Sequence, residues 1–177
     1  MAKIEKPKAR KEYKCSKCGE VIKVGDTYLK GIPFRRSPVI RCTKCGLRSW
    51  ELSSSDYVQG VGRICDCWEE DYGCDENTAQ SIADELNNIR DQCQDSLDNM
   101  PEGLQEGDTG QLLQERIDTL DSVISELENI DYENIKEGEL GDIEYESMSD
   151  ESKEEMDIRI DTALVDSINE ALSQLDY

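Results

Sequence analysis

The chain has 177 residues and a formal net charge of −21, and it contains no histidine. Residues 1–50 hold 14 Lys/Arg and 4 Asp/Glu, a net charge of +10, whereas residues 51–177 hold 6 Lys/Arg and 37 Asp/Glu, a net charge of −31. The lack of histidine excludes histidine metal ligands and nucleophiles paired with a histidine base, and the charge asymmetry predicts a boundary near residue 50.

The first segment, residues 1–12, is rich in lysine and is typical of a flexible basic arm. Its charged start lacks the apolar run of a secretory signal peptide. No later stretch reaches the roughly 20 apolar residues of a membrane span. We therefore expect a cytoplasmic protein without membrane contact, in a compartment where thiols stay reduced.

Two C-x-x-C pairs come next, Cys15 with Cys18 and Cys42 with Cys45, and 23 residues separate the pairs. This spacing predicts a tetrahedral site of four thiolates, which suits one structural Zn²⁺. A glycine follows each pair, at a position where a positive φ turns backbone N–H groups toward the sulfurs. The alternative is two disulfides, which require an oxidising compartment.

The elements around the cysteine pairs predict a small zinc finger. Apolar segments at 21–24 and 27–30 flank Gly25-Asp26, a pattern that predicts a β-hairpin. Residues 31–38 form a loop with Arg35 and Arg36 at its tip. Serines then cap a helix with an apolar stripe from Tyr57 to Trp68. Pair, hairpin, pair and helix is the order of a treble-clef finger, predicted here over residues 13–72, whereas a flat zinc ribbon would end in a second hairpin.

The acidic part of the chain shows helical periodicity. Residues 73–131 carry two apolar seams separated by glycine-containing turns, and they predict an antiparallel helical hairpin. Residues 132–150 are typical of an acidic linker, and residues 151–177 predict a C-terminal amphipathic helix. The expected fold is therefore a small α+β protein, a four-cysteine zinc finger followed by an acidic all-α hairpin or bundle.

The helical seams also offer surfaces for oligomerisation. The residues of the three seams are Ala79, Ile82, Leu86, Ile89, Cys93, Leu97 and Met100; Leu113, Ile117, Leu120, Ile124, Leu127 and Ile130; and Met156, Ile160, Leu164, Ile168, Leu172 and Leu175.

Four further cysteines, Cys65, Cys67, Cys74 and Cys93, are candidates for a second metal site. A C-x-C spacing suits a metal knuckle poorly, and Cys93 lies on an apolar seam. The alternative is that these thiols act as small apolar core residues.

The run from Cys15 through Gly19, Ile22 and Gly25-Asp26 to Tyr28 resembles the opening of PARP-type and LIM-like treble-clef fingers. Small zinc-finger proteins of bacteriophages are similar over about residues 13–60, including the Arg/Ser/Leu-rich segment after Cys45. The resemblance implies zinc-ligand roles for the two cysteine pairs and a phage origin, with the host cytoplasm as location. PARP-type fingers use a histidine ligand, so their recognition of DNA breaks does not carry over.

Charge and motifs together favour a non-enzymatic zinc-binding adaptor. Its finger would bind nucleic acid through basic side chains near the cysteine pairs, and its acidic helices would bind a protein. The alternative is an acidic DNA mimic that inhibits a host DNA-binding or defence protein. A zinc ion held by four thiolates has no open position for catalysis, so we expect neither enzymatic activity nor a small-molecule substrate. The candidate nucleic-acid contacts are Lys14, Lys17, Arg35, Arg36, Arg41, Lys44 and Arg48.

Overall fold

The computed structural model describes residues 4–33, 37–141 and 143–177, and within them the protein is an α+β fold of five short strands and six α-helices. The chain divides into two compact units. Residues 1–62 together with Tyr177 form the first, here called the N-terminal unit, and residues 63–176 form the second, here called the helical unit. The five strands lie in the N-terminal unit.

Two small antiparallel sheets build the N-terminal unit. One has the strand order β1 (Ile4–Glu5), β4 (Tyr28–Gly31) and β5 (Val39–Cys42). The other pairs β2 (Tyr13–Lys14) with β3 (Val21–Ile22). The three-stranded sheet separates two apolar clusters, because side chains alternate between its faces. One cluster contains Ala9, Cys15, Ile22, Tyr28 and Cys42, and the other contains Leu29, Leu47 and Leu52.

The basic N-terminal segment differs from the flexible arm expected over residues 1–12. Ile4 pairs with Gly31, Glu5 with Lys30 and Lys8 with Thr27, so this segment follows β4 in one antiparallel register. Ala9 is only 3% exposed, and its N–H donates to the carbonyl of Asp26 at 2.8 Å. The buried Ala9 side chain and the backbone pairing hold this segment against β4. The lysine-rich composition gave no sign of either, because it is typical of a disordered terminus.

The predicted hairpin between residues 21–24 and 27–30 also differs from the structure. The strand β3 pairs with β2 across the first cysteine pair, and β4 pairs with β5. The reason is the N-terminal segment. The strand β4 pairs with residues 4–8 on one side and with β5 on the other, so neither side is left for residues 21–24.

A 3-10 helix, Trp50–Leu52, leads from the second cysteine pair to α1 (Asp56–Tyr72), whose start is capped by Ser55. The division between the units falls within α1, after Gly62, and not at the charge boundary near residue 50. The boundary lies after residue 50 because the start of α1 packs closely on Trp50. A Cβ added to Gly62 would lie only 2.6 Å from the Cβ of Trp50. The first turns of α1 therefore pack with the N-terminal unit.

The helical unit contains two helices of 21 residues, α2 (Thr78–Asp98) and α4 (Asp108–Glu128), with the single turn α3 (Glu102–Gln105) between them. Helices α2 and α4 pack against each other, and α3 packs on α4. The buried residues of α2 and α4 follow the predicted seams because a period of 3.6 residues places them on one face. Trp68 is also buried in this unit, where its indole N–H donates to Asn169 Oδ1 at 3.1 Å.

Residues 132–150 are more ordered than the acidic linker predicted from their composition. They contain α5 (Tyr132–Leu140) and a 3-10 helix, Tyr145–Ser147, before α6 (Asp150–Leu172). Asp131 caps α5, and α5 packs on α6. The Tyr145 hydroxyl donates to Asp157 at 2.7 Å. The Asp131 cap and the hydrogen bond from Tyr145 to Asp157 give this segment a defined structure, although it contains few apolar residues. Within the described ranges, no helix is both long and apolar enough to cross a membrane.

Two glycines of the helical unit provide a test of its packing. A Cβ on Gly110 would lie 2.6 Å from the Cα of Gln105, a backbone atom that cannot move aside, whereas a Cβ on Gly138 would meet nothing within 4 Å. We expect Gly110→Ala to lower the free energy of unfolding by about 1–3 kcal/mol. Gly138→Ala should raise it by about 0.5–1 kcal/mol through helix propensity. Urea unfolding followed by circular dichroism measures both, and a stabilising Gly110→Ala would contradict the packing.

Candidate metal centre and basic surface

The two cysteine pairs meet in the N-terminal unit. The Sγ atoms of Cys15, Cys18, Cys42 and Cys45 all lie within 4.8 Å of one another. Cys15 follows β2 directly, and Cys42 ends β5, so pairing of the strands brings the two pairs together. Cys15 and Cys42 are buried, Cys45 is half-buried, and Cys18 is exposed. The cluster therefore lies at the edge of the core, with one thiol open to solvent.

The backbone of both knuckles has the conformation that the glycines predicted. Gly19 has φ 74° and Gly46 has φ 65°, values in the left-handed region that favours glycine. The N–H of Gly19 donates to the carbonyl of Cys15 at 2.9 Å, and this closes the first knuckle. Ser16 ties that knuckle to β5, because both its N–H and its hydroxyl donate to the carbonyl of Ile40 at 2.9 Å.

Backbone N–H groups around the first knuckle favour a thiolate. Burial raises the pKa of the Cys15 thiol, but N–H groups of Cys18, Cys42 and Lys17 together outweigh burial and lower that pKa to about 6. Hydrogen bonds with the thiols of Cys18 and Cys42, followed by burial, raise the pKa of Cys45 to about 12. Four close thiols cannot all ionise without a cation among them, and a metal ion is the group that would allow it.

The geometry of the cluster fits a tetrahedral thiolate site. Four sulfurs at about 2.3 Å from a central Zn²⁺ would stand about 3.8 Å apart. The Sγ atoms of Cys18 and Cys42 are 3.8 Å apart. The four cysteines are thus close enough to hold one metal ion, and the donor set is four thiols without any histidine.

The structure assigns different surroundings to the basic residues predicted to contact nucleic acid. The guanidinium of Arg41 lies 3.2 Å from Glu51 in a largely buried ion pair, with side chains 15% and 18% exposed. This pair joins β5 to the 3-10 helix, so Arg41 has a role in the fold, and its contact with nucleic acid stays a prediction. Lys44 is exposed but lies 3.1 Å from Glu20, whose hydrogen bond raises the lysine's pKa.

The remaining predicted contacts divide into two groups. Lys14, Lys17 and Arg48 are exposed on the N-terminal unit, as a nucleic-acid contact requires. Arg35 and Arg36 lie outside the described residues.

A row of basic side chains escaped the sequence prediction. Lys6, Lys8 and Arg10 are exposed, whereas Pro7 and Ala9 between them are half-buried and buried. We call these three the N-terminal basic row. Among the described residues, no ion pair involves them. A basic residue at every second position was the signal of an extended strand with one charged face, and the expectation of a flexible arm obscured it.

The other four cysteines are not brought together as metal ligands. Within the described ranges, the one group with metal-binding geometry is the cluster of the two C-x-x-C pairs. Burial, with a smaller effect of Asp66, raises the pKa of Cys65 to about 11, and burial raises the pKa values of Cys74 and Cys93. The Cys74 Sγ contacts the carbonyl oxygen of Asp161 at 3.6 Å. Because no further donors group with them in the described part of the chain, these cysteines suit a core role better than metal binding.

The helical unit carries a large excess of negative charge. Residues 63–176 contain 35 Asp/Glu and 6 Lys/Arg. Arg63 pairs with Asp71 at 3.5 Å and also with Glu85, and Arg159 pairs with Glu139 at 2.7 Å. Six basic side chains leave most of these carboxylates without neutralisation. The surface of this unit is therefore strongly anionic and repels other polyanions.

Comparison with known proteins gives no relative from which a role could be transferred. No family model, no curated protein and no solved structure matches the chain. The resemblance to phage fingers therefore stays a prediction, and the inference about function depends on the cysteine cluster and on the distribution of charge.

Proposed function

We propose that this protein is a non-enzymatic, zinc-dependent adaptor. One structural Zn²⁺ bound by Cys15, Cys18, Cys42 and Cys45 would stabilise the N-terminal unit, which binds nucleic acid. The helical unit would bind a protein with a basic surface. The observation that carries this proposal is that the two units have opposite charge. Residues 1–50 of the N-terminal unit hold 14 basic residues, and the helical unit holds 35 acidic residues.

Two further points support an adaptor over an enzyme. Zinc held by four thiolates keeps no position for a water or substrate ligand. The fold that we propose for the N-terminal unit is a treble-clef-like finger, with the knuckle of β2 and β3 followed by the second knuckle and α1. The helical unit is proposed to use α2 and α4 as an antiparallel hairpin, whose exposed carboxylates face the partner.

Nucleic-acid binding is tested with the full chain and a labelled single-stranded oligonucleotide. We expect weak binding that falls as salt rises, because lysine and arginine contacts to phosphates release counterions. Chemical-shift mapping should place the affected amides within residues 4–50. A chain that binds no oligonucleotide even at low ionic strength, where electrostatic attraction is least screened, would refute this part of the function.

The acidic DNA mimic is the second candidate, and the surface of α2 favours it. Asp84, Asp91, Asp95 and Asp98 are exposed and recur at helical spacing, which gives a row of carboxylates along one face. A mimic would compete with DNA for a DNA-binding protein and would not bind the oligonucleotide itself. The titration above thus separates the two candidates.

A further inference from the structure

We propose that the N-terminal basic row, Lys6, Lys8 and Arg10, is the surface of the N-terminal unit that binds the phosphate backbone of a nucleic-acid strand. This inference rests on the proposed function and specifies its contact site. It differs from the contacts predicted from sequence, which lay near the cysteine pairs. Three features of the segment support it: the exposed sheet edge, the alignment of the side chains and the orientation of the backbone amides.

The row lies on an edge of the three-stranded sheet. The order of that sheet is β1, β4 and β5, so β1 has a neighbour on one side only. Residues 4–9 continue β1 along β4 in a constant register, from the pair Ile4 with Gly31 to the bridge between Lys8 and Thr27. Among the described strands, none pairs with the other side of this segment, and its residues Lys6 and Lys8 are exposed.

The basic side chains are aligned by the extended backbone. Residues two apart in a strand project from the same face and are about 6.6 Å apart. Lys6 and Lys8 therefore share a face, and exposed Arg10 continues the alternation at the bend that follows Ala9. Buried Ala9 and the strand pairing fix the backbone positions of Lys6 and Lys8, so binding costs no further backbone ordering there.

The edge also presents a backbone donor. The carbonyl of Pro7 accepts from Tyr28 N–H at 3.1 Å, and the N–H of Ala9 donates to Asp26 at 2.8 Å. Residues 7 and 9 thus face β4, and the N–H of Lys8 between them points away from the sheet. An outward N–H between lysine side chains suits a phosphate oxygen, because such a site combines a hydrogen bond with positive charge.

A repeating polyanion fits this row better than a single anion does. Lys6 and Lys8 along the edge, followed by Arg10 at the bend, match successive phosphates of one strand, and contacts to phosphates carry no sequence information. Arg41 and Lys44, by contrast, are paired with Glu51 and Glu20. The row thus belongs to the exposed basic side chains of the described finger that have no ion pair, together with Lys11, Lys14, Lys17 and Lys23.

The test compares two full-chain variants that each lose three positive charges. One is Lys6→Gln with Lys8→Gln and Arg10→Gln, and the control is Lys17→Gln with Lys23→Gln and Lys44→Gln. Binding of a labelled single-stranded oligonucleotide is measured at several salt concentrations. Three lost phosphate contacts should reduce the slope of log K against log salt by about 2. We expect that change, with at least about tenfold weaker binding at low salt, for the row variant. The control includes two of the contacts predicted from sequence, Lys17 and Lys44, and we expect it to lose clearly less affinity than the row variant.

The outcomes separate this inference from the proposed function. If both variants lose affinity equally, or the control loses more, the contact is spread over the unit and the row is refuted while nucleic-acid binding stands. If wild-type protein binds no oligonucleotide, both are refuted. A variant with Lys6→Arg, Lys8→Arg and Arg10→Lys keeps the charge and should retain the affinity.

A measurement on the wild-type chain guards against misfolding of the variants. The amide of Lys8 points outward and should show one of the largest chemical-shift changes on oligonucleotide titration, together with Lys6 and Arg10. Unchanged amides in this segment, with changes elsewhere in the N-terminal unit, would overturn the inference. Equal displacement of the oligonucleotide by polyglutamate would also overturn it, because the row would then bind carboxylates as well as phosphates.

Discussion

Replacing Cys42 by serine is expected to abolish stoichiometric metal binding and to unfold the N-terminal unit. Cys42 is 8% exposed, ends β5 and lies in the apolar cluster with Ala9, Cys15 and Tyr28. A serine hydroxyl is a poor ligand for Zn²⁺ beside three thiolates. Zinc binding contributes about 10–16 kcal/mol to small zinc-binding folds, more than strands of two to four residues can replace.

Elemental analysis of the purified protein measures this effect. Wild type should contain one zinc per chain and Cys42→Ser almost none, with loss of chemical-shift dispersion in residues 4–50. The control is Cys74→Ser, which lies outside the cluster and keeps a donor for the carbonyl of Asp161. It should retain one zinc. A Cys42→Ser protein that keeps stoichiometric zinc would refute the four-thiolate site.

Chelation of the metal should affect the two units differently. The buried seams of α2, α4 and α6 consist of aliphatic side chains together with Cys93, Met156 and small residues, and none of them belongs to the cysteine cluster. We therefore expect most of the helical circular dichroism signal to survive removal of zinc. Loss of most of that signal would mean that the helices depend on the metal.

The cysteine cluster and the helices could be predicted from sequence because their signals are local. The spacing of the two C-x-x-C pairs predicted which four cysteines come together. The glycines after the pairs predicted the positive φ that Gly19 and Gly46 adopt. Apolar residues at helical spacing likewise identified Ile82, Leu86 and Leu120 as buried. In each case, a few neighbouring residues carry enough information to determine the outcome.

The strand pairing could not be predicted because it depends on partners distant in sequence. Composition suggested a disordered arm before Cys15, yet the methyl group of Ala9 is buried and its backbone holds Gly25 and Asp26. The same applies to Arg41, whose partner Glu51 is ten residues away. Charge alone indicated a contact with phosphate, whereas the fold places this arginine in an internal ion pair.

Shortening Leu120 should destabilise the helical unit strongly, whereas the same change at Leu112 should not. Both leucines lie in α4, but Leu120 is fully buried and Leu112 is 45% exposed. Leu120→Ala removes buried methyl groups and leaves a cavity in the packing of α4, which should cost about 2–5 kcal/mol of unfolding free energy. Leu112→Ala deletes the same atoms from a site that water already reaches, so we expect a change within about 0.5 kcal/mol.

Urea unfolding of zinc-loaded protein, followed by the helical circular dichroism signal, measures both variants. Alanine has the higher helix propensity at each position, so the difference between the variants reports burial alone. With a total stability of about 5–15 kcal/mol, a loss of about 2–5 kcal/mol is large enough to lower the urea midpoint clearly. Equal effects of the two substitutions would show that the apolar seam of α4 does not form the core of this unit, and the proposed helical hairpin would then fail with it.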